Sequence, residues 1–185
     1  MFILGAPDMR SPRLTYRPIT SRDAARVAEY AGDWDIARMT SRIPHPYSLV
    51  EADLWIASLD NDEFVRVVEL NGELIGAVGY IHHDSGEAEI GYWIGKPWWG
   101  NGYATEAATA LMTYCFKEGG FERLTCGHFV DNAASARVIR KLGFRPTGTG
   151  ALWSVARQCS VEMILYTRGR GFWQQLLGRW RSQMR

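Results

Sequence analysis

The sequence predicts a single mixed α/β domain, and three stretches carry that expectation. In "FVRVVELNGELIGAVGYI" two β-branched runs flank Asn71-Gly72, the dipeptide suited to a type I′ turn, so an antiparallel hairpin is expected there. From Tyr103 to about Lys117, Ala104, Ala107, Ala108, Leu111 and Cys115 recur at i, i+3, i+4, i+7 and i+11, one face of a helix. Strand-like segments, "EAEIGYWIG" and "FERLTCGHFV", stand on either side of that helix and make a β-α-β unit of the second half. At 185 residues, 46% hydrophobic and 22% charged, the chain suits one soluble domain with a substantial core.

In chain order, Arg13 to Ile19 ("RLTYRPI") is expected to form the first strand. Thr20 or Ser21 then caps a helix through about Tyr30, with Asp23 in its first turn, where the helix dipole favours an anion. In "SLVEADLWIASLD", Ser48 followed three residues later by Glu51 is a capping box and opens a second helix. The hairpin comes next, then "EAEIGYWIG". Alternation puts Glu87, Glu89, Gly91 and Trp93 on one face of that strand and Ala88, Ile90, Tyr92 and Ile94 on the other. The second face reads as wholly apolar core, whereas the first carries two carboxylates. Gly119-Gly120 stops the helix that begins at Tyr103, and "FERLTCGHFV" follows as a strand. Asn132 to Leu142 reads as a short helix ended by Gly143, and "FRPTGTG" and "CSVEMILYTR" supply the last two strands. No repeat, linker or low-complexity stretch divides the order, so the elements belong to one domain.

Bulk chemistry narrows the classes. A net charge of +1 gives no global field for nucleic acid. No apolar run approaches the roughly 20 residues of a membrane span, and Met1 to Arg10 has no secretory pattern. Cys115, Cys126 and Cys159 are odd in number and lack metal-ligand spacing, which favours buried thiols in a reducing cytoplasm. Charge is uneven only at the end. From Arg168 to Arg185 there are five arginines and no acid, with Phe172, Trp173, Leu176, Leu177 and Trp180 at helical spacing. Such a segment either docks on its own domain or a second copy, giving a homodimer, or lies at a membrane interface; docking is the expected arrangement.

The run "KPWWGNGYATEAA" sets a bulky pair and a Gly-x-Gly at the mouth of a helix. Gly100 and Gly102 let the backbone turn sharply and leave N–H groups uncovered, while the helix adds its own unsatisfied N–H groups and positive dipole end. Together they suit an anion such as diphosphate. Two familiar patterns fit badly. A P-loop needs Gly-Lys-Ser/Thr where Gly102-Tyr103-Ala104 stands, and a dinucleotide fingerprint needs Gly where Thr105 stands. On its own the Gly-x-Gly equally suits a tight turn without a ligand.

"EIGYWIGKPWWGNGYATEA" and "FERLTCGHFVDNAASARVIRKLGF" together resemble the acetyl-CoA-binding half of the GNAT N-acetyltransferase superfamily. They look most like the RimJ/RimL-like branch, which acetylates N-terminal amines of ribosomal proteins, and "RLTYRPITSRDA" resembles that branch's opening strand and helix. The resemblance spans about Arg13 to Thr167. It implies an α/β (α+β) GNAT fold, with a mixed, mostly antiparallel sheet splayed between its fourth and fifth strands and helices on both faces. It also divides the chain into an N-terminal extension (1–12), the acetyltransferase domain (13–167) and a basic amphipathic tail (168–185).

By the same resemblance, the pyrophosphate loop Q/R-x-x-G-x-G/A falls on Trp99, Gly100, Asn101, Gly102, Tyr103 and Ala104. Trp99 replaces the Gln or Arg and removes one side-chain donor, so main chain must do the holding; Ala104 keeps the last position small. Trp98 and Trp99 either pack over the bound molecule or anchor the loop in the core. Trp93 and Ile94 are expected to hydrogen-bond the pantetheine arm through their backbone, as an added strand does. Asn132 matches a contact position and is also among the best helix caps.

Acetyl transfer from a thioester to an amine requires removal of the amine's proton, donors for an oxyanion, and a group to meet the departing sulfur. Glu89 is the first candidate base, with a solvated or ion-paired carboxylate as its rival reading; His128 is the second, and Glu106 is explained by the helix dipole. Many relatives have a tyrosine four residues before the Gly-Phe of "KLGF", where this chain has Ile139. The RimJ/RimL-like branch resembles this chain in having a serine three residues after the helix-opening Asn, which is Ser135. Ser135 is therefore the candidate partner of the leaving thiol, with a bystander hydroxyl bonded to its own helix as the alternative. The implied activity is direct transfer from acetyl-CoA to a primary amine, foremost a protein N-terminus, with no metal. A small-molecule amine (antibiotic, polyamine or amino acid) and a CoA-binding protein without turnover are the competing readings.

Overall fold

The computed structural model describes residues 9–60, 62–83 and 85–171. Seven strands form one sheet in the order β1-β2-β3-β4-β5-β7-β6, where β1 is Thr15–Pro18, β2 Glu63–Leu70, β3 Glu73–His82, β4 Ala88–Ile94, β5 Arg123–Phe129, β6 Arg145–Ser154 and β7 Cys159–Gly169. Every neighbouring pair is antiparallel except β4 and β5. These two are parallel and meet at only two positions, Ala88 opposite Leu124 and Glu89 opposite Thr125. Beyond Glu89 the strands part, which is the splay that the resemblance implied.

Local chemistry explains the elements. Asn71 and Gly72 both take positive φ, 53° and 83°, as a type I′ turn requires between β2 and β3. Thr20 caps as expected, but it opens a single 3-10 turn, Ser21–Asp23, before helix α1 (Ala24–Ala31). Helix α2 (Trp34–Ala37) was not anticipated; the Asp33 side chain caps it by accepting from the Asp35 N–H at 2.8 Å. Ser48 and Glu51 close their capping box at the start of α3 (Leu49–Ser58). Helix α4 (Tyr103–Lys117) and α5 (Ala133–Lys141) complete the set.

Two apolar layers sandwich the sheet. Ala107, Ala108, Leu111, Met112, Cys115 and Phe116 of α4, with Ile139 of α5, pack with Ala88, Ile90 and Ile94 of β4. On the other side Ala24, Val27 and Ala31 of α1 and Ala52 of α3 pack with Val67 and Leu74, with Trp93 against them. Trp93 and Ile94 thus face opposite layers, as strand alternation demands. Cys115 and Cys126 are buried, and burial pushes the Cys115 thiol up to about 12, while Cys159 is exposed. Met9 lies in the larger core and β7 continues through Arg168 to Gly169, so packing reaches a few residues past both expected domain edges. The amphipathic part of the tail, from Phe172 onward, lies outside the described residues. Among the described residues no helix is long and apolar enough to cross a membrane.

Candidate active site

The site begins where β4 leaves β5. The Gly95 N–H donates to the Ile75 carbonyl at 2.8 Å and the His83 N–H to the Glu87 carbonyl at 3.0 Å, so the odd-numbered residues of β4 bond to β3. Trp93, opposite Ala77, therefore spends its main chain on β3. This corrects the expectation that Trp93 offers its backbone to an added strand. Tyr92 and Ile94 present their main chain to the gap instead. The Ile94 carbonyl already accepts the Trp99 indole N–H at 2.6 Å.

Past β4, Lys96–Trp98 forms one 3-10 turn, and Trp98 packs edge-on against Tyr30 with ring centroids 5.0 Å apart. Trp98 thus anchors the loop in the core, while Trp99 stays half-exposed and pins the loop to the strand end. The Asn101 side chain donates to the Trp98 and Trp99 carbonyls at 3.2 and 3.1 Å and closes the bend from within. Gly100 and Gly102 both have φ of 81°, a conformation that penalises any Cβ. Around Gly100 the space a side chain would fill is open. Gly102 is the N-cap of α4 and offers no side chain to cap it. Among the described residues the N–H groups of Gly100, Asn101, Gly102, Tyr103, Ala104 and Thr105 find no protein acceptor. Six uncovered donors at a helix mouth fit a diphosphate, and Ala104 keeps the second helical position small.

Arg13 was not singled out in the sequence. Its backbone N–H and its Nε both donate to the Glu106 carboxylate, at 2.8 and 2.7 Å, and its Nη2 donates to the Asn101 carbonyl at 3.2 Å. The guanidinium also covers the Tyr103 ring at 4.5 Å. Burial raises the Glu106 carboxyl, yet the Arg13 bonds outweigh that and hold it below the ordinary value. Glu106 is thus a clamp between the segment leading into β1 and α4, a stronger role than dipole stabilisation alone.

Glu89 sits at the last position of β4 that pairs with β5, exposed, with Oε2 3.4 Å from His83 Nε2. Pairing between β3 and β4 runs without a register shift, so Glu89 keeps the face assigned by simple alternation. His128 is buried; its Nδ1 meets the Phe129 carbonyl at 2.8 Å and its Nε2 the Tyr166 hydroxyl at 3.0 Å. Both ring nitrogens are engaged inside the protein, which suits a structural histidine better than a base.

Ser135 lies in the first turn of α5, whose cap is Asn132: the Asn132 Oδ1 accepts the Ser135 N–H at 3.0 Å. The Ser135 hydroxyl does not turn back on its own helix. It lies 2.9 Å from the Tyr92 hydroxyl, across the parted strands. Tyr92 is thus not purely apolar, and the expected all-apolar face of β4 carries one polar tip. The signal was present in the sequence, since a mostly buried phenol needs a partner.

A parallel strand pair opened beside a glycine-bent anion cradle, with a carboxylate on one face and hydroxyls on the other, is the architecture of a transferase that takes its acyl group from a CoA thioester. Residues 13–145 match the Acetyltransferase (GNAT) domain family, and the chain belongs to it. It is accordingly an acetyl-CoA-dependent N-acetyltransferase. The chain is 38% identical to the Bacillus subtilis (strain 168) protein "Uncharacterized N-acetyltransferase YoaA", over 77% of this chain and 85% of that one. It is 36% identical to the "Putative ribosomal N-acetyltransferase YdaF" of the same strain, over 87% of this chain and 93% of the relative. Among solved structures, RimL, a ribosomal-protein α-N-acetyltransferase in complex with coenzyme A, superposes with a TM-score of 0.77 over 88% of this chain and 98% of RimL, at 18% identity.

Proposed function

We propose that the acceptor is the N-terminal amine of a protein, with Glu89 receiving the amine's proton and Ser135 facing the departing sulfur. The observation that carries the acceptor is the 36% identity to YdaF across 87% of this chain. The residue roles follow from the gap. Glu89 stands at its closed end on the face shared with Trp93, and Tyr92 with Ser135 on the opposite face. An amine entering from the Glu89 side meets the acyl carbon with the sulfur leaving towards Ser135, so proton uptake and sulfur departure are kept apart.

The bound thioester supplies an activated acyl carbon, which an uncharged amine attacks without an enzyme-linked intermediate. The uncovered N–H groups from Gly100 to Thr105 hold the diphosphate, since Trp99 has no side-chain donor left to give it. Main chain at Tyr92 and Ile94 lines the pantetheine arm as a neighbouring strand would. Asn132 orients Ser135 through the helix cap. Glu89 is exposed and roughly 10 Å of strand separates it from Tyr92, three residues on, so the proton reaches it through solvent at the mouth of the gap.

Release of free thiol from acetyl-CoA is the test. Peptides with free N-termini should support it, and the same peptides with blocked N-termini should not. Turnover with polyamines, amino acids or aminoglycosides but not peptides removes the protein acceptor, and silence with every amine leaves a CoA-binding protein only. Ser135→Ala should lower kcat by about 100-fold, the lower range for a group acting on a proton in the transition state. Full turnover in that variant ends the role given to Ser135.

A further inference from the structure

A pair of hydroxyls spans the gap, Tyr92 to Ser135 at 2.9 Å. Either oxygen can donate. If Ser135 donated, the phenol proton would need another acceptor, and none is found for it among the described residues. Either direction leaves one hydroxyl proton unspent, but the phenol is the more acidic O–H and the serine oxygen the better acceptor, so the bond runs from Tyr92 to Ser135. If Tyr92 donates, its own proton is satisfied and one lone pair of Ser135 is filled. Among the described residues the Ser135 proton then finds no other acceptor.

We propose that Tyr92 is a positioning residue for acyl transfer: its phenol donates to Ser135 Oγ and thereby aims the serine proton into the gap, at the sulfur that departs. The inference rests on the reading of Ser135 above and deepens it. A serine hydroxyl is a free rotor with one proton and two acceptor sites, and at the third position of a helix it can turn back onto backbone. Two fixed bonds prevent this. Asn132 Oδ1 holds the Ser135 N–H, which sets the backbone, and Tyr92 holds the oxygen, which sets the rotor. The donated bond also helps the serine oxygen carry negative charge, which makes its own proton a better partner for a thiolate. Burial raises the Tyr92 phenol far above the ordinary tyrosine value, so the phenol stays protonated and remains a donor. No proton has to leave Tyr92; the role is a hydrogen bond held across the two halves of the sheet.

Tyr92→Phe keeps the ring in the core and deletes only the donor. It should lower kcat by about five- to tenfold, the worth of one hydrogen bond, while KM for acetyl-CoA stays within about twofold. In a Ser135→Ala background the same change should cost nothing further, because the oxygen it acts on is gone. Thermal unfolding of each variant with and without coenzyme A separates lost folding from lost turnover. Unchanged kcat in Tyr92→Phe alongside a slow Ser135→Ala overturns the proposal and leaves the Ser135 role standing. An equal loss from Tyr92→Phe with and without Ser135 overturns it too, since the effect is then one of packing. Full turnover in Ser135→Ala removes the underlying reading and the proposal with it.

Discussion

At Gly102 one residue's backbone freedom decides how a helix begins. At φ of 81° it turns the chain so that α4 starts with its donors bare, and Gly100 repeats the value two residues earlier. Alanine at either position has to adopt a left-handed conformation, which costs about 1–2 kcal/mol. Gly102→Ala should therefore lower stability by about that amount and weaken coenzyme A by about tenfold, as the loop relaxes and its N–H groups turn away. Isothermal titration together with urea denaturation measures both. Gly148 is a control, because a Cβ there meets nothing within 4 Å and its φ is ordinary. Gly148→Ala should stay within about 0.5 kcal/mol. If Gly102→Ala binds as tightly as the parent, the cradle is not main chain. Trp99, which the resemblance aligns with a Gln or Arg, holds the loop to Ile94 through its indole N–H.

Among the elements, the joint between β1, the first turn and β2 is the best-built polar contact. Asp23 is buried and receives Arg17 through both oxygens at 2.7 Å, and the Thr20 N–H at 2.9 Å; Arg17 also donates to Glu69 on β2. Burial raises the Asp23 carboxyl, but Arg17 and Thr20 outweigh it and hold it below its ordinary value. A carboxyl lowered in the fold contributes stability above the unfolded value near 4 and loses it as pH falls through the folded value. Asp23→Asn should cost about 2 kcal/mol at pH 7, less than for a fully buried pair because Arg17 is 37% exposed. Its urea midpoint should also fall less between pH 6 and pH 3 than that of the parent. An unchanged slope between those pH values would show that Asp23 does not drive acid unfolding. This joint was half legible in the sequence. Thr20 and Asp23 were readable as a helix start because capping is local, and the same holds for Ser48 with Glu51 and for Asn71-Gly72. Arg17 and Glu69 were not, since their pairing depends on strand register. Tyr92 escaped for a related reason: alternation assigns a ring to a layer but says nothing about where its hydroxyl ends. Helix α2 is too short to show a period, and Trp93 failed because alternation of side chains does not tell which neighbour takes the main chain.

At the scale of the whole molecule, the parted strands leave the two halves of the sheet with few ladder bonds between them. After Glu89 opposite Thr125, other contacts span the gap. One is the Tyr92–Ser135 bond. Another is a chain of charges along the rim, from Lys96 to Asp35 at 2.6 Å, Asp35 to Arg38 at 3.4 Å, Arg38 to Asp131 at 3.9 Å and Asp131 to Arg157 at 2.9 Å. Such partly exposed pairs contribute about 0–1 kcal/mol each, so the open edges of β4 and β5 are weakly braced. A ligand that fills the gap and caps the α4 donors should therefore act as a cross-link. By mass action it adds about 2.7 kcal/mol at one hundred times its Kd. Amide exchange locates where that energy enters. Coenzyme A should slow exchange at Gly100 to Thr105, which find no protein acceptor among the described residues, and at Tyr92 and Ile94, whose main chain faces the gap. Trp93 should change little, because its amide is already spent on β3. Protection that spares Tyr92 and Ile94 but appears at the loop would place the diphosphate correctly and remove the arm from the gap. Protection at neither would detach the bound molecule from the splay altogether, leaving the opened strands as a feature of the fold with no part in the chemistry.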